Sequence, residues 1–516
     1  MNTGLCITDY AVIAVFFATM IGVGLWSRRR AGDAGVYFGN DRSASWWLSG
    51  ISFYMNSFSA LAFVMYSALA YKYGFLPVTV SWLLVPSIMI ASRWLAVRWR
   101  RAAQKSPIDF IARRYTPKMC SFVAWCGLPM QALDNALKLL AVGTVVGVGM
   151  GFPLFWSICI SGVIIIVYTF LGGLKAALAC DFIQFFVIAA VVFILPPLCL
   201  GKLASLDGGS GLLHGASVFF DRAPEGFFAL STEKYNWLYL IAIGFFGNFL
   251  TLSTNWPLIQ RYAATKSDRD AKKMTYLVAV LLIVGPPLMF FPAMAARVFM
   301  STPIADADMN GVYALLCREV LPGGMMGLVI AAMFSATMSS LAGNFNAVAS
   351  VVTNELYAKI DRHATPRRLM VAGRIATVVA GVIVIGLTFV MQYAQGAKDL
   401  FSLSNQVFSV FLAPITLPMI AGVLFRGISK RAGLTALVGG IGLGLLFFIA
   451  APWIVETFPG APNMRDELPM QLFTTVTAAV LLVIGSWLFP DKPDERASVE
   501  GFFRQIDFSG GTEKAG

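Results

Sequence analysis

The feature that most constrains this chain is a succession of about thirteen apolar runs, each near the roughly 20 residues that an α-helix needs to cross a bilayer. They fall at 7–27, 46–71, 75–97, 119–149, 152–172, 174–200, 235–260, 273–299, 323–357, 368–393, 399–425, 432–452 and 470–489. Backbone polar groups in lipid must be satisfied within the segment, so such runs are expected as helices. Composition agrees: of 516 residues 58% are hydrophobic and 13% charged, against about 25% charged in a soluble domain. That leaves too little polar surface for a water-soluble particle of this size, and no long polar segment from which to build a catalytic domain. The first run lacks a basic n-region and a small-residue cleavage site, so it reads as a retained span rather than a signal peptide.

The loops set the expected orientation, because cytoplasmic loops carry an excess of Lys and Arg. Arg28, Arg29 and Arg30 follow the first run, which places that loop inside and the N-terminus outside. Strict alternation then requires basic loops after the third, seventh, ninth and eleventh runs. Arg98, Arg100, Arg101, Lys105, Arg113 and Arg114 follow the third, and Arg261, Lys266, Arg269, Lys272 and Lys273 the seventh. Lys359, Arg362, Arg367 and Arg368 follow the ninth, and Arg426, Lys430 and Arg431 the eleventh. The expected outer loops, such as 201–233 and 300–322, are poor in basic residues and hold Asp306, Asp308 and Glu319. One missed run would invert every later loop, so the agreement supports thirteen spans with the C-terminus in the cytoplasm. The net charge of +12 is thereby distributed as loop charge, and a nucleic-acid partner is not expected. The stretch 106–117 is expected to lie along the inner surface, and the tail 490–516 to be short and polar.

The seven cysteines sit mostly in or beside apolar runs. They have no metal-ligand spacing and no disulfide framework, and are read as small packing residues. The two histidines, His214 and His363, fall in loops on opposite sides. No paired catalytic motif lies at membrane depth, which argues against a membrane enzyme.

Interrupted helices are tolerated in a membrane only where they line a cavity or bind something. The second run is interrupted by Met55-Asn56-Ser57-Phe58-Ser59, and the seventh by Gly247-Asn248, with Thr251, Ser253, Thr254 and Asn255 following. The eleventh carries Ser402, Ser404, Asn405, Gln406 and Ser409, then Pro414 and Pro418. Interrupted helices at corresponding places in two halves point to an inverted-repeat transporter with its site at the midplane. The ninth run carries Ser335-Ala336-Thr337-Met338-Ser339-Ser340. Neutral hydroxyls and freed carbonyls of this kind can ligate a hard monovalent cation weakly enough to release it.

Three segments then resemble the sodium/solute symporter family, which includes sodium–galactose, sodium–proline and sodium–sialic acid carriers. They are Gly172-Gly173-Leu174-Lys175-Ala176-Ala177 with Asp181-Phe182-Ile183-Gln184, Ala336-Thr337-Met338-Ser339-Ser340 through Asn346 to Thr353-Asn354-Glu355-Leu356-Tyr357, and Trp46-Trp47 with Gly50-Ile51-Ser52. Ile259-Gln260-Arg261 extends the match, which spans nearly the whole chain. The resemblance implies an all-α polytopic membrane protein of the leucine-transporter type, with two inverted five-helix repeats. These would be 46–200 and 234–425, with an extra helix and loop in 1–45, an outer loop in 201–233 and two further helices in 426–489.

The resemblance also implies the sites. A sodium ion would be held by carbonyls of Met55, Phe58 and Ala336 and hydroxyls of Ser339 and Ser340. Some members hold a second sodium with an aspartate at position 181 and hydroxyls at 342 and 343. Here Asp181 is present, as a possible ion-coupling residue, but Ala342 and Gly343 lack hydroxyls, so one sodium is expected. Asn248 and Gln406 fall where sugar carriers place hydroxyl-binding amides, whereas Ala62 and Ser81 fall where those carriers place glutamine and glutamate. Asp134 replaces an asparagine of sugar carriers and an arginine of acid carriers, and Lys138 one turn later can pair with it.

The expected function is sodium-coupled symport of a small polar solute, a sugar or sugar derivative, by alternating access in a bacterial inner membrane. Sodium ions, the solute and the lipid bilayer are the expected partners, with no obligatory protein partner. Uptake of an amino acid or carboxylate, coupled to sodium or to protons through Asp181 or Asp134, is the alternative. A transporter-like solute sensor is a further one; it would call for an appended signalling domain.

Overall fold

Apolar runs with internal Gly and Pro become long helices whose ends are tied by short polar turns, and the whole arrangement is helical. The computed structural model describes residues 5–28, 42–57, 59–103, 106–300, 304, 309, 311–361, 363–395, 400–458, 464 and 466–507. Side chains are described within these except at 26–28, 171–176 and 394–407. Among the described residues ten helices are long and apolar enough to cross a membrane, or eleven if one bent pair is a single span. Leu154–Phe170 and Phe408–Leu424 are shorter apolar helices. Each of the thirteen runs holds one of these segments.

The helices that build the site are α1 (Ile7–Arg28), α2 (Trp46–Ser57), α3 (Ala60–Tyr73), α4 (Pro117–Met150) and α5 (Leu154–Ser205). They are joined by α6 (Asn248–Thr254), α7 (Trp256–Ala264), α8 (Met326–Val351) and α9 (Leu400–Leu424). Helices α10 (Glu467–Leu488) and α11 (Pro493–Asp507) close the chain. The fifth and sixth runs share the unbroken helical backbone of α5.

Helix α8 is the axis of the bundle. Every residue of it except Leu328 is buried, and it packs on α1, α2, α4 and α5. A helix without a charged residue, its polar groups being hydroxyls and amides, suits such a position. Its N-terminus leaves amide donors without intrahelical partners, and Asp9 of α1 supplies an acceptor, taking the Gly327 N–H at 2.7 Å through Oδ1. The other Asp9 oxygen takes the Cys6 N–H at 2.9 Å.

The two interruptions differ from one another. The second run breaks between Ser57 and Ala60, where α2 and α3 meet at a 57° bend. In the seventh run the break does not fall at Gly247-Asn248. There the helix only changes pitch, from π-helical Leu240–Gly247 to α6. The chain leaves helical geometry at Asn255, with ψ of 125°, because Pro257 sits in the first turn of α7 and cannot donate to the turn before it.

Within 106–117 the chain forms a short helix, Asp109–Arg114, with Phe110, Ile111 and Arg114 buried. Arg114 donates to the carbonyls of Gly422 (2.9 Å), Phe425 (3.1 Å) and Ile428 (2.7 Å), and Tyr115 to that of Pro418 (2.7 Å). The three carbonyls that Arg114 takes lie in the last turn of α9 or just past it, where a helix has acceptors to spare and favours a cation. The tail is not simply polar, since α11 buries Val499, Phe502, Phe503 and Ile506 on one face. Asp507 at its end pairs with Arg98 (3.2 Å) and Arg426 (2.9 Å).

Candidate functional site

The break between α2 and α3 is seated on α8. The Ala60 N–H, freed by the break, donates to Thr337 Oγ1 at 3.1 Å. Asn56 Nδ2 donates to the Ser52 carbonyl at 2.9 Å and stands 3.5 Å from Ser339 Oγ. These two contacts set the end of α2, where Met55 lies, at the level of Ser339, and the start of α3 beside Thr337, next to Ala336. Met55, Ala336, Ser339 and Ser340 are all buried. Phe58, the remaining expected ligand, lies outside the described residues. Asn56 Oδ1 is buried without a hydrogen-bond partner in the protein and lies against Gly343.

Gly343 packs against the Asn56 side chain: a Cβ placed on it would stand 1.9 Å from Asn56 Oδ1 and 3.2 Å from Arg261 Nη2. A serine there would require the Asn56 amide to move.

Behind this lies a buried ion pair. Arg261 on α7 and Asp181 on α5 are both 0% exposed, with Arg261 Nη2 3.7 Å from Asp181 Oδ2. The Ser52 hydroxyl of α2 donates to the same Asp181 oxygen and accepts from Arg261 Nε at 3.1 Å. Arg261 Nη1 donates to the Pro257 carbonyl at 3.1 Å, closing its own helix turn after the break. One charge pair thus ties α2, α5 and α7 together beside α8. Arg261 was legible in the sequence only as a loop charge and a motif residue.

On the other side of the break opens a cavity of about 290 Å³. Ala62, Ser81, Asp134 and Asn248, four of the five expected solute residues, line it. The side chain of Gln406 lies outside the described residues. Asn248 Nδ2 gives one of its two N–H donors to the Gly244 carbonyl at 2.7 Å. Ser81 likewise donates back to Pro77 at 2.8 Å. Asp134 is paired, with Lys138 Nζ at 2.6 Å and Asn344 Nδ2 at 3.1 Å on the same oxygen.

Sequence reasoning missed Gln131, Tyr66 and Gln471 in the lining. Gln131 Oε1 is buried without a partner in the protein, an acceptor suited to a solute hydroxyl. Gln471 comes from α10, outside both expected repeats. The available signal was an amide in an otherwise apolar run, since polar groups at membrane depth turn toward the bundle or water.

Comparison with known proteins follows this geometry. A model of the sodium:solute symporter family matches residues 37–441. The chain is 26% identical to a sodium/glucose cotransporter of Vibrio parahaemolyticus, over 95% of this chain and 92% of that one. It is 23% identical to a sodium/sialic acid symporter of Proteus mirabilis, over 86% and 89% respectively. The fold superposes on that of a Na+-coupled sialic acid symporter solved in a substrate-bound outward-open state, with a TM-score of 0.79 at 19% identity, covering 94% of this chain and 98% of that one. It also resembles the nucleobase-cation-symport-1 family transporter Mhp1, with a TM-score of 0.55 at 14% identity, covering 90% and 97%.

Proposed function

We propose that this chain, which belongs to the sodium:solute symporter family, carries a small polar solute, a sugar or sugar derivative, on the sodium gradient across a bacterial inner membrane. The observation that carries this reading is the seating of the α2–α3 break. The same interrupted segment faces Ser339 of α8 through Asn56 and lines the cavity through Asn56, Ser57 and Ser59. A cation bound by Met55, Phe58, Ala336, Ser339 and Ser340 would draw the break against α8 and so fix the cavity wall. Binding of ion and solute are then coupled through one segment, and coupling of this kind is reciprocal. The membrane potential adds about 2.3 kcal/mol per charge per 100 mV to the inward step.

The topology proposed with this function has thirteen spans, the N-terminus outside and the C-terminus in the cytoplasm. Repeats at 46–200 and 234–425 alternate access to the cavity between them. The deciding experiment is uptake of labelled sugars into proteoliposomes, with an inward sodium gradient against a proton gradient at zero sodium. Sodium-dependent accumulation at fixed pH supports the reading, and accumulation unchanged by sodium removal ends it.

Two predictions arise here. Because Ala342 and Gly343 carry no hydroxyl, sodium should activate uptake with a Hill coefficient of about one, since the coefficient is bounded by the number of sites. A coefficient of about two, or two charges moved per neutral solute, contradicts this. Asn248→Ala and Gln406→Ala should each weaken solute affinity by roughly 5–30-fold, the effect of losing about 1–2 kcal/mol of hydrogen bonding. Sodium binding should remain measurable in both. Equal affinity in either variant would remove that residue from the site.

A further inference from the structure

Among the described residues lining the cavity, Asp134 and Lys138 carry the only charges. They lie one turn apart on α4, with Lys138 Nζ 2.6 Å from Asp134 Oδ2 and side chains 12% and 14% exposed. The pair is held in place from α8. Asn344 Nδ2 donates to the paired oxygen of Asp134 at 3.1 Å and to Asn135 Oδ1 at 2.6 Å, and Asn344 itself is buried. The cavity therefore contains two opposite charges and no net charge.

We infer that Lys138 is a specificity-determining residue, and that its pairing with Asp134 makes the cavity select solutes of zero net charge. This rests on the reading of the cavity as the solute site. A solute with net charge enters a poorly hydrated space whose own charges already answer one another, and it keeps an uncompensated desolvation cost. To be compensated it must pull one member of the pair away, leaving the other buried and alone. A neutral polyol meets neither cost. The lysine retains donors beyond the one given to Asp134, and hydrogen bonds from a charged donor are stronger than neutral ones. The pair thus holds hydroxyls while rejecting ions. The one-turn spacing of Asp134 and Lys138 already allowed them to pair; with the pair closed, cations are refused as well as anions.

The test uses three hexoses of one shape and different charge: glucose, the cationic glucosamine and the anionic glucuronate. Binding to the full-length purified protein is measured by calorimetry at saturating sodium. The wild type should bind glucose at least about tenfold more tightly than either ion. Lys138→Met should shift the preference toward glucosamine and Asp134→Asn toward glucuronate. The double variant, which removes both charges, should return to preferring glucose. That restoration shows that the double variant is folded, and thermal unfolding of each single variant is measured alongside as its own fold control. A wild type that prefers either charged hexose overturns the inference, as do single variants that keep the glucose preference unchanged. If no hexose binds, the sugar reading fails, and the charge rule is read with zwitterionic proline, cationic ethanolamine and anionic lactate. Preference for proline, switched by the same variants, sustains the rule without the sugar. Preference for either ion, or binding of none of the six, overturns it.

Discussion

Arg261→Met is expected to destabilise the protein by about 3–5 kcal/mol, the usual consequence of removing one partner from a buried ion pair. Asp181 and Arg261 are both 0% exposed, so the surviving carboxylate cannot recover its hydration. The Ser52 hydroxyl, which accepts from Arg261 Nε and donates to Asp181, would lose its donor at the same time. Because the guanidinium also takes the Pro257 carbonyl, the first turn of α7 loses its tie just past the break at Asn255. The measurement is thermal unfolding of the detergent-purified variant, together with its yield in the membrane. The diagnostic comparison is the double variant Arg261→Met/Asp181→Leu, which removes both charges and should be more stable than Arg261→Met alone. A single variant that melts with the wild type would show that the pair holds nothing. A double variant no better than the single would show that packing, and not the stranded charge, sets the cost.

The second large effect concerns the ion. Ser339→Ala/Ser340→Ala should raise the sodium concentration for half-maximal uptake by at least about tenfold, since each charge-assisted contact contributes roughly 1.5–3 kcal/mol and each factor of ten requires 1.4. The fold should tolerate the change. Both residues are buried in α8, alanine is the better helix former, and each change removes one oxygen without adding volume. Asn56 loses its neighbour at 3.5 Å but keeps the Ser52 carbonyl at 2.9 Å. Sodium-activation curves for uptake, with the yield of folded protein as control, give the result. An unaltered sodium requirement in a well-expressed double variant removes these hydroxyls from the cation site.

Much of the candidate site could be read from residue types because a bilayer penalises every polar group it surrounds. Asn56, Asp134, Asn248 and Ser339 stand out in runs that are otherwise apolar, and the structure brings all four to one interior region. Gln471 escaped notice for the converse reason. One amide in a run outside the expected repeats gives no pattern of its own, and only packing of α10 on α9 turns it to the cavity. The segment around 106–117 and the tail read as polar because they are charged, yet Arg114 and Phe503 are buried where the end of α9 offers free carbonyls and α11 offers an apolar face.

Periodicity and polarity are local properties, so the sequence by itself determined the helical class, the position of each apolar run and the residues that break the second one. Pairing is not local. What Gly343 packs against and which carboxylate Arg261 meets depend on contacts between residues far apart in the chain, as Asn56 is from Gly343 and Asp181 from Arg261. Only the packed bundle decides them, because a side chain's charge and hydrogen-bonding partners in a low-dielectric interior are fixed by its neighbours in space.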